Sequence, residues 1–88
     1  MAEVTCNAEF IKATVDVKNL TTKPSNEDLL ELYGLSKQSI TGDNETPAPG
    51  MFDFQGGYKH KAWLQLKGMS KADAQAKYIA VVARLQAN

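Results

Sequence analysis

The amino-acid sequence predicts an all-α fold of four helices, with one long loop between the second and third. Three observations carry that expectation. Apolar residues recur at three- and four-residue spacing in four separate stretches, and no stretch alternates apolar and polar residues for long enough to make a strand. Two prolines and two glycines fall within residues 42–55, which excludes a regular element over most of that span. At 88 residues, 43% apolar and 23% charged, the chain is the size and make-up of one globular domain covering 1–88. The helices are too unequal, and the loop too long, for a symmetric bundle with minimal turns.

The first helix is expected over about 8–20, with Phe10, Ala13 or Thr14, Val17 and Leu20 on its apolar side. Asn7 is suited to cap its free amides, Glu9 complements the positive end, and Pro24 disfavours helix at Lys23. Ser25-Asn26-Glu27-Asp28 has the form of a capping box and opens a second helix over about 26–41. Leu29, Leu30, Leu32, Tyr33, Leu35 and Ile40 give that helix a wide apolar face, and Gly42 is its natural stop. In the loop, Met51, Phe52 and Phe54 are expected to tuck back onto the core. A loop of this length either carries function or is a packed crossover. A third helix is expected over about 57–66, with Tyr58, Ala62, Trp63 and Leu66 as its apolar members and Gly68 after it. Ser70-Lys71-Ala72-Asp73 repeats the capping-box pattern and opens a last helix reaching about Ala87, with Ala74, Tyr78, Val81 or Val82 and Leu85 on one side.

Charge and cysteine usage exclude several function classes. Ten basic residues balance ten acidic ones, which argues against a nucleic-acid partner. Cys6 is the only cysteine, so no internal disulfide can form and a reducing, cytoplasmic setting is expected. Residues 1–7 show neither the basic region nor the apolar core of a signal peptide. No stretch approaches the roughly 20 apolar residues of a membrane span, so stable membrane insertion is not expected. With no exposed heptad seam, a monomer is expected.

Catalytic chemistry finds few candidates. One histidine, His60, and one distant cysteine do not make a metal site, and Cys6 has no local activating context, so it reads as an inert residue near a frayed terminus. No metal, cofactor or enzymatic activity is expected. What remains is a set of tyrosines and lysines. Tyr33 and Lys37 lie four apart on one helical face, Tyr58 and Lys59 open the third helix, and Tyr78 sits midway along the last. Tyrosine offers an apolar body with a polar tip and lysine a point charge for phosphate, a combination suited to an anionic, aromatic head with an apolar tail. The same spacing also fits tyrosines at core edges and lysines in solvent.

A series of short segments then occurs in one fixed order: Thr22-Lys23-Pro24-Ser25, Leu30-Glu31-Leu32-Tyr33, Lys37-Gln38-Ser39-Ile40-Thr41-Gly42-Asp43 and Pro49-Gly50-Met51-Phe52-Asp53. Ala62-Trp63 and Leu66-Lys67-Gly68-Met69-Ser70-Lys71-Ala72-Asp73-Ala74 with Tyr78-Ile79 follow. Each piece alone is weak. In this order and spacing they closely resemble the acyl-CoA-binding protein family over nearly the whole chain. The resemblance implies an up-down-down-up four-helix bundle and a non-covalently held medium- to long-chain fatty acyl-CoA, bound one to one by an intracellular carrier and pool former. It further implies that Tyr33, Lys37 and Lys59 grip the ribose 3′-phosphate, that Lys18 lies near the head group, and that Tyr78 contacts the pantetheine and acyl portion.

The chain departs from the family pattern at three places. Ser36 stands where the family usually has an aromatic residue lining the adenine site, which implies weaker stacking there or stacking supplied from elsewhere. His60 stands where an aromatic residue is usual and reads as a packing substitute rather than a proton-transfer group. Gln55 replaces a frequent lysine and removes one positive charge near the head group. These departures keep a second reading in view, a helical protein-interaction module with a weakened or lost ligand site. A third reading is an enzyme acting on a CoA ester, and the carrier ranks above both rivals.

Overall fold

The structure, a computed structural model, describes residues 7–87. It contains four α-helices: α1 (Ala8–Asp16), α2 (Asn26–Ile40), α3 (Phe54–Leu64) and α4 (Lys71–Ala87). The expectation for Cys6 lies outside the described residues. Three helix starts form as the sequence predicts. The Asn7 side chain accepts from the Phe10 amide, Ser25 Oγ accepts from the Asp28 amide at 3.1 Å, and Ser70 Oγ accepts from the Asp73 amide at 3.0 Å. Gly42 and Gly68, at φ of +93° and +94°, provide the left-handed residues that end the helical runs before them.

Residue pairings fix the directions of the helices. Asn7, before α1, donates to Gln75 near the start of α4, while Asp16, Asn19 and Leu20 share a small cleft with Leu85 and Gln86. Starts thus meet starts and ends meet ends, so α1 and α4 run parallel. Arg84, late in α4, pairs with Asp28 at the start of α2 at 3.0 Å, whereas Gln38 near the end of α2 donates to the Met69 carbonyl just before α4. These two helices are antiparallel. Tyr33 meets Lys59, Gly34 meets Ala62 and Lys37 meets Trp63 in rising order, so α2 and α3 run parallel. The result is the up-down-down-up four-helix bundle.

One core joins α1, α2 and α4. Phe10, Ala13, Leu32, Leu35, Ala74, Tyr78, Val81, Val82 and Leu85 are buried together, with Leu20 and Leu66 packed against them. Phe10 sets its ring edge-on to Tyr78, with centroids 5.1 Å apart, a geometry worth about 0.5–1.5 kcal/mol beyond area burial. The alternatives at the sequence level resolve as Ala13 over Thr14, while Val81 and Val82 are both buried. Buried Gln75 ties the layers together: its carbonyl accepts from the Asn7 side chain and its amide donates to the Ser39 carbonyl.

Four expectations are corrected. The first helix ends as α-helix at Asp16, tightens into a 3-10 turn over Val17–Asn19, and gives way to extended backbone at Leu20. Ile40 is not part of the core face but half-exposed, because the last turn of α2 meets α4 and the turn before it through Gln38 and Ser39. Helix α3 starts at Phe54 rather than Gly57, because Asp53 caps it by accepting from the Gly56 amide at 2.9 Å. That early start also explains the fourth correction. Met51, Phe52 and Phe54 do not tuck inward; they are 81%, 83% and 68% exposed. Helix α3 packs chiefly on α2, so the residues that feed its first turn lie at the rim with no helix above them among the described residues.

The α2–α3 contact depends on Gly34. A Cβ there would sit 2.7 Å from the Ala62 carbonyl oxygen, which is backbone and cannot step aside alone. At Gly57, on the open side of α3, a Cβ would meet nothing within 4 Å. Denaturant unfolding should therefore show Gly34→Ala destabilised by about 1–3 kcal/mol through overpacking, despite alanine's better helix propensity. Gly57→Ala should instead gain about 0.4–1 kcal/mol.

Candidate functional site

Two helices running parallel and touching at Gly34 leave a groove along their outer face. Near their N-terminal ends it opens into a cleft of about 510 Å³, lined by Asn26, Leu29, Leu30 and Tyr33 from α2 and Gln55, Tyr58 and Lys59 from α3. Tyr33 and Lys59 also wall a second recess of about 270 Å³, completed by Thr46, Pro47, Pro49, Gly56, His60 and Trp63. At the junction, Lys59 Nζ lies 5.4 Å from the centre of the Tyr33 ring, and Lys37 Nζ lies 5.1 Å from that of Trp63. Each ammonium group rests on an aromatic face, an attraction of about 0.5–1 kcal/mol at exposed sites. Among the described residues the ion pairs use Lys12 and Arg84, and neither Lys37 nor Lys59 is in one. Two cations, a phenol and an indole gathered at the head of a groove that becomes apolar at Leu29 and Leu30 suit an amphiphile with an anionic head.

The surrounding network holds these groups in register. Trp63 Nε1 donates to the Gly42 carbonyl at 2.8 Å, which orients the indole under Lys37. Asp43 follows directly, and its Oδ1 accepts from both the Gly68 amide and Gln38 Nε2 at 2.9 Å. Those bonds, the Gly68 amide first, hold the Asp43 carboxyl below its ordinary range. Gln38, fully buried, also donates to the Met69 carbonyl at 2.8 Å. Its Oε1 has no partner among the described residues. On the loop side, buried Asn44 donates to the His60 carbonyl and accepts from the Thr46 amide. His60 Nε2 lies 3.2 Å from the Thr46 carbonyl oxygen. The first half of the loop is therefore pinned to α3 and forms one wall of the smaller recess.

Of the five sequence-level site residues, Tyr33 and Lys59 line both recesses, and Lys37 lies beside them on the Trp63 ring without lining either. Lys18 lies on the exposed 3-10 turn after α1 and lines neither recess. Tyr78 is only 4% exposed, packs on Phe10, and has its hydroxyl pushed up from the ordinary range by burial. It belongs to the core behind the groove rather than to the groove's lining.

Comparison with known proteins matches residues 7–82 to the family described as acyl CoA binding protein. The chain belongs to the acyl-CoA-binding protein family. It is 51% identical over 76 residues to acyl-CoA-binding protein homolog 1 of Caenorhabditis elegans, covering 86% of this chain and 88% of that one. It is 51% identical to the Saccharomyces cerevisiae acyl-CoA-binding protein over 69 residues, or 78% of this chain and 79% of that one. The crystal structure of Oryza sativa acyl-CoA-binding protein 2 matches with a TM-score of 0.84 at 43% identity, over 88% of this chain and 86% of that one.

Within this family frame, the groove holds residues that the sequence reading did not assign to a site. Trp63 was legible only as an apolar member of its helix, although it lies four residues after Lys59, close to the same face. Pro47 and Pro49 carried no chemical signal at all. Tyr58 was grouped with the suggestive tyrosines and proves to be the most exposed aromatic wall of the larger cleft, at 61%.

The Asp43 bonds give a pH signature. A carboxyl lowered by folding adds stability above its unfolded value, about 3.9, and loses it as pH falls through the lower folded value. Asp43→Asn should therefore lower the melting temperature at pH 7, and the gap to the parent chain should narrow steadily below about pH 4. Thermal unfolding followed by circular dichroism across pH 2–7 checks this.

Proposed function

We propose that this chain binds medium- to long-chain fatty acyl-CoA esters non-covalently and acts as their carrier and pool former. The observation that carries the reading is the pair of ammonium groups of Lys37 and Lys59, each seated on an aromatic ring at the head of a groove with an apolar far end. Relatives that share half of its residues and are named acyl-CoA-binding proteins support the same ligand. Lys37, Lys59 and the Tyr33 hydroxyl would hold the ribose 3′-phosphate by charge-assisted hydrogen bonds. The adenine would lie against the Pro47 and Pro49 wall of the smaller recess, which offers apolar surface that Ser36 does not. Lys18 and Tyr78 take part only at a distance from this cluster, Lys18 as a peripheral charge and Tyr78 as the rigid support beneath the groove.

Each methylene of the tail withdrawn from water contributes about 0.8 kcal/mol, so affinity rises with chain length for as long as apolar surface remains. His60 turns its Nε2 toward the Thr46 carbonyl, and among the described residues no serine or cysteine lines either recess. The reading is binding without turnover, by a monomer in the cytoplasm. No helix among the described residues is long and apolar enough to cross a membrane.

Calorimetric titration with palmitoyl-CoA should show saturable one-to-one binding, with the ester recovered unhydrolysed after prolonged incubation. Lys37→Ala and Lys59→Ala should each weaken binding by about 1.5–3 kcal/mol, roughly tenfold to a hundredfold. Absence of heat at micromolar ester, or full affinity in both variants, would refute the assignment.

A further inference from the structure

Charge is balanced over the whole chain but not along it. Residues 51–71 hold four lysines (Lys59, Lys61, Lys67 and Lys71) and a single carboxylate, Asp53, whereas the other residues hold nine carboxylates against six bases. Helix α3 and the turn after it therefore form a positive sector on an otherwise acidic chain. Asp53 is itself engaged, because its side chain caps α3 and offsets the positive end of the helix dipole. In the cleft between α2, α3 and α4, Glu27 and Glu31 line the walls together with Lys61 and Lys77. Asp43 is committed to the Gly68 amide and to Gln38.

The same sector carries the apolar side chains that the fold leaves in water. Met51, Phe52 and Phe54 stand clear of the bundle at the start of α3, and exposed Tyr58 follows one turn later. At about 3.6 residues per turn, Phe54, Tyr58 and Lys61 share one face of α3, and buried Trp63 lies on the opposite one. The face turned away from the bundle is thus aromatic over its first turns and cationic after them. A rigid protein partner would need a pocket for each side chain that projects this far, whereas a fluid surface closes around them. Aromatic rings settle at the headgroup level of a bilayer, and ammonium groups above it meet acidic headgroups.

We propose that the Met51–Phe54 tip and the outward face of α3 dock on an anionic lipid surface. Met51 and Phe52 enter the headgroup layer, and Lys61 meets the acidic headgroups beside them. The acidic remainder of the chain turns away, so charge alone orients the molecule as it approaches. Docked in this pose, the cleft walled by Gln55, Tyr58 and Lys59 opens next to the lipid. A carrier held there can exchange an amphiphile with the bilayer without carrying it through open water. That consequence rests on the acyl-CoA reading above; the docking itself does not.

The test is sedimentation of the full chain, without ester, with vesicles of phosphatidylcholine alone or of equal parts phosphatidylcholine and phosphatidylserine. The mixed vesicles should carry the chain down, the neutral ones should not, and added salt should release it. Met51→Ser combined with Phe52→Ser should lower vesicle affinity about tenfold or more. Lys61→Gln should lower it about fivefold, the share of one lysine near an anionic surface. Because Met51 and Phe52 already stand in water, their double variant should keep the native melting temperature, which separates lost docking from lost folding. Phe52→Trp should shift its emission to the blue with the mixed vesicles and not with the neutral ones. Absence of binding to the mixed vesicles, or undiminished binding by the double variant, would overturn the proposal. So would binding to poly-glutamate with none to vesicles, which would give this face to an acidic protein. Each of these outcomes leaves the acyl-CoA assignment to its own titration.

Discussion

The close parallel approach of α2 and α3 at Gly34 is the constraint on which the groove depends. With the α2 backbone pressed against the Ala62 carbonyl, each side chain of α2 acquires a partner at a fixed step along α3. Tyr33 then receives Lys59, and Lys37 receives Trp63. A larger residue at position 34 would push the helices apart and loosen both pairs at once. The glycine costs helix propensity, about 0.8–1 kcal/mol relative to alanine, and the packing it permits offsets that.

A second layer of interactions keeps this arrangement from sliding. The indole of Trp63 is fastened to the Gly42 carbonyl, and Asp43 next to it ties the end of α2 to the turn before α4 through Gln38 and the Gly68 amide. On the other side, Asn44 and His60 fasten the long loop to α3. The loop therefore divides into two halves with different physics. Its first half is hydrogen-bonded and walls the smaller recess, while its second half carries exposed Met51 and Phe52 to the capped start of α3. A function-bearing loop and a crossover are here two parts of one segment.

Much of the helical framework was legible in the sequence because it is local. Apolar spacing and the caps at Asn7, Ser25 and Ser70 report on single turns, and those formed as read. The start of α3 was missed because Gly56 and Gly57 look like a break, while the cap that overrides them, Asp53, lies in a segment dominated by prolines and glycines. The fate of Met51, Phe52, Phe54 and Ile40 was not legible either. Hydrophobicity says that burial would be favourable, but whether another element lies above a residue is a property of topology. For the site, Tyr33 and Lys37 were readable as neighbours on one helix, whereas their meeting with Lys59 spans two helices and came only from the family resemblance, and the pairing of Lys37 with Trp63 was not read at all. Tyr78 was readable both as an apolar member of the last helix and as a site residue, and its packing on Phe10 belongs to the first of these.

The central claim is that the two lysines and Tyr33 form a clamp for one particular phosphate. It is tested most directly by comparing palmitoyl-CoA with its 3′-dephospho counterpart, which differs only at that group, by calorimetry on the native chain and on a Lys37→Ala, Lys59→Ala double variant. The native chain should bind the dephospho ester at least tenfold more weakly, and the double variant should bind the two esters alike. Equal affinity of the native chain for both esters would contradict the account.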